Sequence, residues 1–290
     1  MVVETHAHYT YGKFKDKFTY LGLKNGEYSL FCGTLEDVFA DMDKAGIAAS
    51  IEPGVDLASN ERILELNRKH PSRIFPAVGV HPTRCIKEVW RNRKKLAEYA
   101  QFPNVIAIGE TGLDYHYSRK DQHRVKQLCW FIYQLSLARK KNLPVILHVR
   151  EAHKQTARVL SVFGRGLKGV VVHCFKGNSK EATKYVSKGL YLGIGGSILQ
   201  NGDKAEETRE AVRHVPIERI LIETDAPFVP PDCGDSISKK KVYKKVCNTS
   251  LILPKVIKKI AELKNMDYIE VERITAKNAI ELFNLPISED

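Results

Sequence analysis

Several features that would steer a first reading are missing from this 290-residue chain. No apolar run is long enough to span a bilayer, so no membrane helix is expected. The chain enters directly into a strand-like run with no basic segment and apolar stretch ahead of a cleavage site, so no secretory leader is expected. The six cysteines, at 32, 85, 129, 174, 233 and 247, form no CxxC pair and no compact framework. That scatter suits reduced thiols in a cytoplasmic compartment, without disulfides. GIGGS, at Gly193 to Ser197, lacks the Lys and Ser/Thr of a phosphate-binding loop, which argues against ATP chemistry. No linker rich in Gly, Ser or Pro divides the chain, and a single domain over residues 1–290 is expected.

What is present begins with charge. The formal net charge of +12 favours a polyanionic partner such as nucleic acid. Eight short β-branched runs recur along the chain: VVETHAH, IAASIEPG, FPAVGVHP, VIAIGETGLDY, PVILHVR, KGVVVHCF, LYLGIGG and ILIETDAP. Longer segments of helical character separate them. The segment from Asp121 to Asn142 places Val125, Leu128, Cys129, Ile132 and Leu135 at the spacing of one buried face, and Asn142 and Pro144 mark its end. Strands alternating with helices in this number predict an α/β fold, a single (β/α)8 TIM-like barrel, with a doubly wound sheet as the runner-up.

In such barrels the reactive groups gather at the C-terminal ends of the strands. Six of the eight runs end in polar side chains: His6 and His8 on the first, His81 on the third, Glu110 on the fourth, His148 on the fifth, His173 on the sixth and Asp225 on the eighth. Alternation predicts Glu4 on the face of His6 and His8. Any one of these residues could be a satisfied core histidine or a turn former, and Glu110 could pair with Arg150. Together they bury too many titratable groups without a compensating charge. Metal ions supply it, and six His and carboxylate donors without thiolates exceed the needs of one tetrahedral zinc. Two divalent ions, of Mg, Mn or Zn, fit better: one taking His6, His8 and Asp225, the other His148 and His173, with Glu110 bridging. Hydrolysis is the reaction class such a pair serves.

The strings ETHAH, GVHP, IGETGLDY, LHVREA, VVHCFKG and ETDAP resemble, in order, the motifs of the TatD-type metal-dependent deoxyribonucleases of the amidohydrolase-like superfamily. Gln127 and Phe131 in the helix before NLPVILHVR match as well, as does KNAIELF around Asn278 and Phe283. The resemblance implies a metal-dependent (β/α)8 hydrolase, commonly a nuclease or 3′ to 5′ exonuclease on DNA. In some members it implies other ester hydrolysis, such as D-aminoacyl-tRNA deacylation, and a metal-dependent esterase or amidase is the alternative activity. By motif it makes His6, His8, Glu110, His148, His173 and Asp225 metal ligands, Asp225 and Glu110 catalytic, and His81 a contact for substrate phosphate. Arg150 is a further candidate for substrate binding.

This chain departs from the family pattern at Glu4, where Asp is more usual; a Glu there could accept a hydrogen bond from a ligand imidazole. It also carries a long stretch after the first strand, from Tyr9 to about Gly33. Strand-like residues flank Asn25 and Gly26 there, predicting a β-hairpin insertion at the barrel mouth. Tyr9, Tyr11, Phe14, Phe18 and Tyr20 alternate with Lys13, Lys15 and Lys17 along it, the composition of a single-strand platform. A second basic stretch, with Lys239, Lys240, Lys241, Lys244 and Lys245, could attract phosphate, and would match a nuclear address in a eukaryote. Cys174 is expected to turn away from the metal face by alternation.

Overall fold

Short parallel strands need crossover connections, and helices supply them here. The computed structural model describes residues 1–117, 120–234, 237 and 245–287. Strand β1 (Val2–Glu4) is followed by a two-stranded hairpin, β2 (Phe18–Lys24) and β3 (Glu27–Gly33), and then by α1 (Leu35–Lys44). The alternation continues through β4 (Ile47–Pro53), α2 (Leu57–Lys69), β5 (Ile74–Val78), α3 (Arg93–Tyr99), β6 (Ala107–Asp114) and α4 (Asp121–Lys141). It ends with β7 (Val145–Arg150), α5 (His153–Phe163), β8 (Val170–Val172), α6 (Ser179–Val186), β9 (Tyr191–Ile194), α7 (Asp203–His214), β10 (Ile220–Ile222), α8 (Leu253–Lys264) and α9 (Tyr268–Phe283).

Eight strands form one parallel sheet in the order β1-β4-β5-β6-β7-β8-β9-β10, and each of the eight expected runs contributes one. The first and last strands meet through the Thr5 amide on the Ile222 carbonyl, 3.1 Å, and a bridge between Ala7 and Ala226. The architecture is a nearly closed TIM-like barrel. Its lumen is filled by Val3, Ala49, Ile51, Phe75, Ala77, Ala107, Ile146, Val171 and Leu221, against which α9 packs Ala276, Ala279, Leu282 and Phe283. A second layer of apolar side chains lies between strands and helices.

The Asn25–Gly26 pair makes the hairpin turn with both residues at positive φ, 51° and 79°, the conformation this dipeptide favours. Thr34 caps α1 in a reciprocal capping box with Asp37. Helix α4 departs from expectation. Val125 and Cys129 are exposed, and the buried face carries Gln127, Trp130, Phe131, Gln134, Leu135 and Ala138. The apolar spacing is helical, but two glutamines point inward because backbone groups of neighbouring strands need partners there. Gln127 accepts from the Asp114 amide and donates to its carbonyl; Gln134 does the same for Val80 and also donates to Thr111.

Candidate metal centre

The end of β1 shows how the first two histidines are aimed. Val3 sits in the lumen and Val2 in the outer layer, so Glu4 falls on the outer side. Regular pairing stops at Glu4, and the chain beyond turns His6 and His8 into the mouth. The expectation that Glu4 shares their face is therefore corrected, as is its role as acceptor for an imidazole. Its carboxyl instead takes the amides of His6 and Thr224 and the hydroxyls of Thr224 and Ser250, tying β1 to the segments after β10. Burial pushes it up to about 8 despite those hydrogen bonds.

Glu110 is also out of step with its strand, since Ala107 faces the lumen and simple alternation would turn residue 110 outward. The β6–β7 pairing shifts register between Ile108 and Thr111, and this irregularity re-aims the carboxylate. Gly79 permits the close approach: a Cβ there would lie 2.4 Å from the Gly109 carbonyl carbon.

The side chains so aimed converge. Oε1 of Glu110 lies 2.7 Å from His173 Nε2, 2.8 Å from His148 Nδ1 and 3.2 Å from His81 Nε2. Its other oxygen faces His6 Nε2 at 3.6 Å and His8 Nε2 at 3.7 Å. Asp225 Oδ1 stands 3.5 Å from His8 Nε2 and 3.8 Å from His6 Nε2. The six expected ligands thus form one cluster with Glu110 between its halves. Asp225 adopts a left-handed backbone, φ 56°, and its amide donates to the His6 carbonyl.

The electrostatics match the geometry. Burial raises Glu110, but the His173 and His81 imidazoles and the hydrogen bonds of His148 and His173 outweigh it and hold the carboxyl well below its usual range. Burial lowers His173, yet Glu110 and then Glu223 lift it well above the ordinary imidazole value. His8 and His148 are likewise raised against burial by their carboxylate neighbours, whereas burial keeps His6 and His81 lowered.

The donor set fits divalent cations. Ring nitrogens face one another, His6 Nε2 to His8 Nε2 at 3.1 Å and His148 Nδ1 to His173 Nε2 at 3.2 Å, an arrangement protons satisfy only in part. His6, His8 and Asp225 form one group whose donor atoms lie within 4.8 Å of one another, and His6, Glu110 and His173 form another. A third group joins His81 to Glu110 and His148. Since the Thr83 amide donates to His81 Nδ1, the neutral ring carries its proton on Nε2, toward Glu110. That presents a hydrogen-bond donor to an anion.

The centre opens into a cleft of about 240 Å³, whose walls include Tyr11, Arg62, Thr83, Arg84 and Phe228. A larger cleft reaches Arg150, Cys174 and Lys176 and shares His148, His173, Asp225 and Phe228 with the first. Arg150 is exposed there, its guanidinium 4.8 Å over the Tyr117 ring, so it does not pair with Glu110. Cys174 corrects its expectation. It lies beyond the end of β8 in a left-handed conformation, φ 46°, where strand alternation no longer applies, and it borders the second cleft.

Lys13, Lys15 and Lys17 are exposed, but they precede the hairpin strands, with Lys13 in a 3-10 turn (Gly12–Phe14). Tyr9, Phe14, Phe18 and Tyr20 are buried and pack the insertion onto the protein, which leaves Tyr11 as the exposed aromatic of that group. Lys245 is exposed, whereas Lys239, Lys240, Lys241 and Lys244 lie outside the described residues.

Sequence reasoning missed Asp114, Glu52, Arg62, Arg84 and Phe228. Asp114 Oδ2 meets His148 Nε2 at 3.1 Å, fixing the ring that turns Nδ1 to Glu110. Glu52 accepts the amides of Tyr9 and Thr10, at 2.8 and 2.9 Å, and so holds the chain leaving His8. Asp114, four residues from Glu110 on one strand, carried a legible signal.

A nearly closed barrel with His and carboxylate donors at its C-terminal mouth defines a metal-dependent hydrolase. The match to the TatD related DNase family model runs over residues 3–284, and the chain belongs to that family. It is similar to the 3′-5′ ssDNA/RNA exonuclease TatD of Erwinia tasmaniensis, 33% identical over 83% of this chain and 90% of the relative. The enzyme of the same name from Edwardsiella piscicida is 32% identical over 91% and 98%. An uncharacterized metal-dependent hydrolase, YabD of Bacillus subtilis, is 31% identical over 87% and 93%. Among solved structures, the TatD homologue YJJV of Escherichia coli superposes with a TM-score of 0.82 at 26% identity, covering 98% of both chains. The chain is thus an enzyme of the metal-dependent hydrolase class. Among the described residues no helix is long and apolar enough to cross a membrane.

Proposed function

We propose that this chain, acting as one catalytic domain in a cytoplasmic compartment, removes nucleotides from the 3′ end of single-stranded DNA using two divalent ions, Mg, Mn or Zn. The observation that carries this reading is the division of Glu110: one oxygen faces His148 and His173, the other faces His6 and His8. In this reading His6, His8 and Asp225 hold one ion, His148 and His173 hold the second, and Glu110 serves both. Ions bound there would supply Lewis-acid activation of water and stabilise charge building on the phosphoryl oxygens. The names of the relatives, ssDNA/RNA exonucleases, support the choice of a polynucleotide, and the charge of +12 supports a polyanion.

The protein's own groups take the remaining tasks. Asp225, held below the usual carboxylate range by His8 and neighbouring imidazoles against the effect of burial, is ionised and accepts the proton of the attacking water. His81, whose Nε2–H faces Glu110 at the edge of the first cleft, contacts the substrate phosphate. Arg62 and Arg84 hold the adjoining phosphates, and Arg150 receives the strand in the second cleft.

A 5′-end-labelled single-stranded oligonucleotide incubated with Mg or Mn tests this reading. A ladder shortening stepwise from the 3′ end, lost on Asp225→Asn, is the expected result. No cleavage with either ion, or an undiminished rate in the variant, would overturn it and bring non-phosphate esters forward.

A further inference from the structure

Two aromatic rings stand exposed at the rim of the metal centre, and each is placed by the backbone of a metal-donor residue. The Tyr11 amide donates to the His8 carbonyl at 3.0 Å, and the Phe228 amide donates to the Asp225 carbonyl at 2.7 Å. Each ring therefore sits three residues beyond its donor in a tight turn. Asn248 Nδ2 holds the Phe228 carbonyl at 2.8 Å, fixing the second turn from its other side. The rings meet edge to face, centroids 5.1 Å apart at 66°, and Phe228 lies 6.1 Å from the His8 ring.

Tyr11 remains 42% exposed and Phe228 37%, although every other aromatic of the stretch from Tyr9 to Tyr20 is buried. An edge-to-face pair covers the edge of one ring and one face of the other, so ring surface is left open to the cleft. Both rings line the cleft that holds Arg62 and Arg84, and Phe228 lines the second cleft too. Aromatic surface beside guanidinium groups matches one class of ligand, a base carried on a phosphodiester backbone. A small alkyl ester would find no use for the arginines, and a bare phosphate none for the rings.

We infer that Tyr11 and Phe228 form a stacking platform for a base next to the scissile phosphate, making them specificity determinants for polynucleotides over small esters. This rests on the phosphodiesterase reading above and deepens it. Because every base presents a π-face, the platform is indifferent to sequence.

The test pairs Phe228→Ala and Tyr11→Ala with oligonucleotides that carry one abasic residue at each of the last three 3′ positions in turn. Each substitution should raise KM on normal oligonucleotide roughly 5- to 150-fold, the range for losing one stacked base, with a smaller change in kcat. Removing the base at one position flanking the cut should cost wild type a similar factor. The two effects should not multiply, since a missing base cannot miss its platform. Phe228→Tyr should restore most of the KM, and thermal melts should show each variant folded.

Effects that multiply at every position, or an unchanged KM in both alanine variants, would overturn the platform while leaving the nuclease reading intact. Absence of cleavage by wild type would overturn both. Should Phe228→Ala not fold, Tyr11→Ala and Phe228→Leu carry the same comparison.

Discussion

Glu4 shows how strongly a residue's behaviour depends on its surroundings. Buried at the barrel seam, its carboxyl is pushed up to about 8 from an ordinary value near 4.5. The folded state then binds a proton that the unfolded state has released over that interval, so this group's contribution to stability is full below about 4.5 and falls as pH rises toward 8. Metal-free Glu4→Gln should lose that dependence: denaturant melts between pH 5 and 8 should give a flatter slope than wild type, and an unchanged slope would contradict the assignment. The histidines and Asp225 were legible in the sequence because short motifs put them at strand ends. The facing of Glu4 was not, because period-two reasoning assumes a strand that continues, and this one stops at Glu4. Arg62, Arg84 and Phe228 carry no local pattern that marks a cleft wall.

At the scale of elements, α4 supports the site through its polar side chains. Gln134 satisfies the amide and carbonyl of Val80, one residue before His81. Gln134→Leu leaves two buried backbone groups without partners, an expected cost of about 2–6 kcal/mol, readable in chemical denaturation. Activity should fall further than stability alone explains, because His81 loses its anchor. The buried face of α4 escapes the sequence for a related reason: apolar periodicity points to the core only where the neighbouring backbone is already satisfied. The hairpin was legible down to its turn, since Asn25 and Gly26 leave few alternatives. Its aromatics mostly pack, whereas the lysines before it remain exposed. Replacing Lys13, Lys15 and Lys17 by Ala should weaken binding of single-stranded DNA and flatten the salt slope by about 0.7 for each phosphate no longer neutralised. An unchanged slope would assign these lysines to solubility alone.

For the whole molecule, the eight parallel strands bring to one mouth residues as far apart in sequence as His6 and Asp225, and the chain as a whole carries a formal net charge of +12, a balance that favours polyanions in general. The barrel itself was legible because eight apolar runs alternating with helices favour closure over the doubly wound sheet that the same alternation also allows. The gathering of His and carboxylate side chains around Glu110 was legible in outline, but the proximity of His81 to that carboxylate depends on strand register, which no single segment encodes.

The most direct test of the account is a manganese titration of metal-free protein that follows bound metal and oligonucleotide hydrolysis in the same samples. Hydrolysis should appear as the second ion per chain binds, and Glu110→Gln should bind fewer ions and lose at least about 100-fold in rate. Full activity without bound metal, or an undiminished rate in Glu110→Gln, would contradict it.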